Sequence, residues 1–208
     1  MAQAAARLTS LGVMVLALLR EDEMHPYEML RLMRHRRDDR IVPITGGTVY
    51  HTVARLERRG LIAEVGVDRE GNRPERTTYR LADAGAQALL DWVREELARI
   101  DHPAEFRVAL AESHNLDRAE VLDLLEQRRA ALVEEDATTA AGLTQARARG
   151  VLDQYLVEVE RQASLVAAEL VWLDSFIARL TDPGFRWGVH DGDTLSDHYI
   201  AQRKAARQ

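Results

Sequence analysis

The 208-residue chain has no cysteine. That removes disulfides, thiolate nucleophiles and cysteine-based zinc sites together, and it fits a reducing, cytoplasmic setting. Lysine is nearly missing as well: Lys204 is the only one, so arginine supplies the rest of the positive charge. No apolar run approaches the roughly 18 residues of a membrane span, and no cationic segment leads a cleavable apolar stretch near Met1, so neither a membrane nor a secretion route is expected. The seven histidines are scattered, with no HExxH or zinc-finger spacing. No G-x-S-x-G elbow is present. "HDGDTLSDH" (190–198) crowds two histidines with three aspartates, and its setting reads as an acidic tail rather than a metal site. Neither enzyme chemistry, nor a metal, nor a cofactor is expected.

What charge there is falls unevenly. The formal net charge is -6, which taken alone argues against a nucleic-acid partner. Residues 1–85, however, carry 14 Arg against 12 Asp and Glu, a net of +2, and the remainder has a net of -8. The first part is mildly basic and the rest acidic.

"LTSLGVMVLALL" (8–19) is apolar on nearly every side and predicts a helix buried all round, capped by Thr9 or Ser10. A second helix begins near His25, with Pro26 in its first turn, where the missing N–H costs nothing. A third starts after Thr45, carries Val49, Val53 and Leu56 on one stripe, and stops at Gly60. "LIAEVGV" and "TTYRL" are short strands joined through the polar "DREGNRPER", a β-hairpin with a charged tip. "ADAGAQALLDWVREELARI" is a fourth helix. Two long helical stretches follow. In the second, Leu152, Leu156, Val159, Ala163, Val166, Leu170, Leu173, Ile177 and Leu180 keep a heptad seam that must bury itself against another helix. The pattern divides the chain into residues 1–100, 101–182 and a flexible tail, 183–208.

Gly46 and Gly47 raise the question of a phosphate loop. They follow two helices rather than a strand, no lysine follows them, and neither GxxxxGK[ST] nor GxGxxG is satisfied. Helix, helix, turn, helix and a two-stranded wing is instead the order of a winged helix-turn-helix, with the third helix as the reading element. With Val49, Val53 and Leu56 inward, Thr48, His51, Thr52 and Arg55 are expected to face outward, and these side-chain types suit a major groove. Tyr50 flanks the stripe. Arg69, Arg73 and Arg76 surround the wing tip, where arginine clamps phosphates or enters a narrow minor groove.

"HPYEML" (25–30), "GGTVYHTVARLERRGLI" (46–62) and "RPERTTYRLADAG" (73–85) carry a resemblance. With the spacing of Tyr50, Leu56 and Gly60, the chain resembles the PadR family of bacterial transcriptional regulators, over about residues 8–180. The resemblance implies a mainly α fold, an N-terminal winged helix-turn-helix with a small β-wing, and long antiparallel C-terminal helices forming a homodimer interface. It implies a repressor on a roughly palindromic double-stranded DNA operator, in some members released by a small molecule. Carried over residue by residue, Thr48, Tyr50, His51 and Arg55 match the recognition helix, and Arg73 and Arg76 the wing. Many members have proline where His51 stands, and Ser-Pro where Thr45-Gly46 stands, so base preference does not transfer. Effectors in the family sit against tryptophan in some members, which singles out Trp92 and Trp172 as candidates to line a site for a small aromatic or cationic ligand. The competing reading is a ligand-sensing or protein-binding dimer whose winged helix no longer reads DNA.

Overall fold

The computed structural model describes residues 7–68, 76–188 and 202. Among the described residues, seven α-helices and two strands follow one another as α1 (Ser10–Glu21), α2 (Pro26–Arg36), α3 (Gly46–Arg58), β1 (Ile62–Asp68), β2 (Arg76–Leu81), α4 (Asp83–Ala98), α5 (Pro103–Glu112), α6 (Arg118–Ala148) and α7 (Val157–Thr181). Short 3-10 turns occupy Asp38–Arg40, Ser113–Asn115 and Asp153–Tyr155.

The helix α1 is central because it is apolar all round. Every residue from Leu11 to Leu19 is buried, against α3, α4, α5 and β2. Thr9 caps it, its hydroxyl oxygen accepting the Gly12 N–H. Helix α2 starts with a reciprocal cap in which histidine takes the usual serine or threonine role. His25 Nδ1 accepts the Tyr27 N–H at 3.0 Å, and Glu28 Oε2 accepts the His25 N–H at 3.1 Å. Helix α3 ends where expected, with Gly60 at φ +69 in the left-handed region that glycine enters freely.

The strands β1 and β2 pair antiparallel, Ile62 opposite Leu81, with an irregularity between Glu64 and Gly66. Among the described residues, one isolated bridge adds a second pairing: Met24 and Tyr79 exchange both backbone hydrogen bonds at 3.1 Å. This pins the α1–α2 connection to the wing. The turn into α4 depends on Gly85, since a Cβ there would stand 2.0 Å from the Leu61 carbonyl oxygen.

Helices α6 and α7 form an antiparallel hairpin. Arg118 bonds the carbonyls of Leu180 and Asp182, Arg129 pairs with Asp174, and Arg147 pairs with Glu160. The expected seam needs correction here. Residues 149–156 form the connection, so Leu152 and Leu156 precede α7, and Leu152 is 61% exposed. Val166, Leu173 and Leu180 are buried within the protomer, and Leu170 and Ile177 pack against the same core. A seven-residue repeat records that a face is covered, and here α6 of the same chain covers much of it. Of the seam, Leu152 and Val159 stay exposed, and so do apolar residues outside it, among them Val133, Leu165, Val171 and Trp172.

Candidate nucleic-acid interface

Helix α3 carries the candidate residues. Its N-terminus is closed by a reciprocal threonine pair: Thr45 Oγ1 accepts the Thr48 N–H at 3.2 Å, and Thr48 Oγ1 accepts the Thr45 N–H at 3.0 Å. Thr48 Oγ1 also donates to the Thr45 carbonyl at 2.9 Å. The Thr48 hydroxyl is therefore largely committed to the cap, and its exposed methyl is the part offered outward. Gly47 has nothing within 4 Å of a Cβ placed on it, and Gly46 only the Leu30 side chain at 3.7 Å. Packing within the chain does not require glycine at either position.

Val49, Val53 and Leu56 are buried as expected, whereas Thr52 is not outward. It is 6% exposed, because it stands three residues after Val49 and so falls on the buried stripe. Thr52 is thereby removed from the contact surface. Tyr50 is 47% exposed, and its ring meets that of His25 edge-on at 6.2 Å and 73°. His51, Arg55 and Arg58 are exposed. Arg55 Nη2 donates to Thr9 Oγ1 at 2.8 Å, joining the last turn of α3 to the start of α1. Arg76 opens β2. Arg69 and Arg73 lie outside the described residues, as do "HDGDTLSDH" and all of the expected tail beyond Gly188 except Gln202.

In the sequence Thr9 and His25 read as helix starts. Their contacts with Arg55 and Tyr50 span 46 and 25 positions, and no periodic pattern announces such pairings.

The two tryptophans separate. Trp92 is 4% exposed on the α4 face that also buries Leu89, Val93 and Leu97, and its Nε1 has no hydrogen-bond partner. It packs in the core. Trp172 is 39% exposed, stacked on Phe176 at 5.2 Å and edge-on to Phe106 at 6.4 Å. Phe185, Trp187 and Arg179 extend this aromatic group.

A separate cluster joins the C-terminal ends of α1, α2 and α5, where Glu21, Arg36 and Glu112 are the last helical residues. Arg36 donates to both oxygens of Glu21, at 2.5 and 2.8 Å. Burial first, then the nearby charges of Asp38 and Glu21, pushes Glu112 from an ordinary 4.5 up to about 8, against the opposing pull of Arg36 and the Asn115 amide. Burial also raises Asp38 from 3.8 to about 6, opposed by Arg36 and Arg40. A carboxyl whose folded pKa is raised takes up a proton on folding, so its contribution is lost as pH rises, here between about pH 4.5 and 8 for Glu112. The expected result is that Glu112→Gln is more stable than the parent at pH 8, by up to about 4 kcal/mol, with a much smaller difference at pH 5. Thermal melts across that range measure it, and a glutamine variant that is weaker at pH 8 would contradict it.

Among the described residues, no cluster of histidine and acidic side chains is arranged to hold a metal, and no helix is long and apolar enough to cross a membrane. No curated protein matches the chain. The chain is similar to the solved structure of Bacillus subtilis PadR in complex with operator DNA, at 20% identity over 83% of this chain and 98% of that one, with a TM-score of 0.40. It is similar to smu.1604c from Streptococcus mutans UA159, at 17% identity over 80% and 98%, with a TM-score of 0.38. A third similar structure is Bacillus subtilis PadR in complex with p-coumaric acid, at 19% identity over 83% and 96%, with a TM-score of 0.35. Residues 15–91, from within α1 through α3 and the two strands to the middle of α4, match the transcriptional regulator PadR-like family.

Proposed function

We propose that the protein is a dimeric, sequence-specific DNA-binding transcriptional regulator that represses its targets in the cytoplasm. One observation carries the reading. Tyr50, His51 and Arg55 are exposed on a helix whose other side is sealed into the core, at the reading position of a helix-turn-helix followed by a wing. Tyr50, His51, Arg55 and the Thr48 methyl meet the major groove. Arg69, Arg73 and Arg76 supply the wing's charge against phosphates. The small side of Gly47 lets the start of α3, with its unpaired N–H groups, come close to the backbone.

Residues 1–100 form the DNA-binding unit and 101–182 the dimerising one. Leu165 and Trp172 lie seven residues apart on one exposed face of α7, with Val171 beside them, and a second copy of the hairpin covers that face. Two-fold symmetry then asks for a roughly palindromic operator. The half-exposed Trp172, stacked with Phe176, takes a flat aromatic or cationic effector that releases the DNA.

Fluorescence anisotropy with a duplex from upstream of the chain's own gene, beside a scrambled duplex, tests this reading. Phosphate contacts by about 6–10 cations predict an affinity loss of roughly a thousand- to a hundred-thousand-fold between about 50 and 200 mM salt on the scrambled duplex. Preference for the upstream duplex is expected to persist at the higher salt. Weak, equal binding to both duplexes would favour the ligand-sensing or protein-binding dimer instead, and a monomer in sedimentation would remove the symmetric operator.

A further inference from the structure

The oxygen that caps α1 serves two helices. Thr9 Oγ1 accepts the Gly12 N–H at 3.2 Å and also the Arg55 Nη2–H at 2.8 Å. A hydroxyl oxygen has two acceptor positions, and both are filled. Gly12 keeps this arrangement open, since a Cβ at that position would press on Thr9 Oγ1 at 3.2 Å. Arg55 is otherwise exposed, with no ion pair among the described residues. A free arginine on a surface helix samples many rotamers, and binding must freeze them. A guanidinium offers five N–H donors, and Thr9 takes one. The remainder stay available while the side chain is already aimed along the α1–α3 edge.

We infer that Thr9 is a positioning residue for DNA binding, which holds Arg55 in its working rotamer through the α1 cap and acts on DNA only through Arg55. This rests on the reading above, that α3 docks on DNA.

The test is a double-mutant cycle on the full chain, read by anisotropy with the same upstream duplex. Thr9→Val removes the hydroxyl but also the cap. Thr9→Gly removes the hydroxyl while keeping a good N-cap residue, so it separates positioning from helix fraying. Thr9→Ser restores the acceptor. With Arg55 present, both Val and Gly are expected to weaken binding by about two- to ten-fold, the freezing of one long side chain, and Ser to stay near the parent. In the Arg55→Ala background, the same changes are expected to do nothing. Full affinity in Thr9→Gly overturns the inference, and so does an equal loss in both backgrounds. If Arg55→Ala itself is silent while the parent still prefers its duplex, the inference fails and the DNA reading stands. If the parent prefers no duplex, both fail.

Discussion

Replacing Arg128 with alanine is expected to destabilise the fold by about 3–5 kcal/mol, the loss typical when one partner of a buried charge pair is removed. Arg128 is 1% exposed in the middle of α6. Its Nε and Nη2 both reach Glu169 of α7 at 2.7 Å, and its Nη1 donates to the backbone carbonyl of Arg99, which caps α4. Its guanidinium carbon lies 3.6 Å from the ring centre of Phe106 on α5. Four helices therefore meet on one side chain. Truncation leaves Glu169 and a carbonyl without their donor and opens a void beneath Phe106. Glu169 keeps some access to water, which places the loss toward the lower end of that range. Arg128→Met, which refills the volume without the charge, is expected to lose less than alanine. Urea denaturation followed by tryptophan fluorescence measures both. A loss under about 1 kcal/mol for alanine would show that α6 and α7 dock onto α4 and α5 without this side chain.

The second large effect is on DNA. Arg55→Ala is expected to weaken binding to the upstream duplex by about 10- to 100-fold, corresponding to the 1–3 kcal/mol of discrimination carried by a base-contacting arginine. Arg55 is exposed on α3, beyond the cap that commits the Thr48 hydroxyl and beside the burial that removes Thr52. Two of the four residues expected to read bases thus have reduced or no polar reach, which concentrates the polar recognition on Arg55 and His51. The scrambled duplex distinguishes the type of contact. A smaller loss there marks a base contact, whereas equal losses on both duplexes would assign Arg55 to phosphates.

Local signals were enough for much of the architecture. The all-round apolar run of α1, the Thr45 cap and Gly60 stop of α3, and the two paired strands all appear where the pattern of side chains places them. Each is decided within a few residues, by periodicity, capping or turn chemistry. The Met24–Tyr79 bridge was not legible, because one pair of hydrogen-bonded residues has no period. Thr52 lies inward because the apolar stripe of Val49, Val53 and Leu56 is wide enough on a helix to take in a fourth residue.

The sequence by itself determined the helical class, the order of elements, the two-stranded sheet and the amphipathic third helix, since these follow from short-range backbone and patterning preferences. It also marked α7 as a helix with a covered face. Only the tertiary structure decided what covers that face, because a heptad seam is the same string whether its partner is α6 or a second chain. Tertiary structure alone also buried Arg128 among four helices, gathered three helix ends around Glu112, and joined Thr9 to Arg55. Each of these is a contact between residues far apart in the chain, set by how helices dock rather than by what any one helix contains.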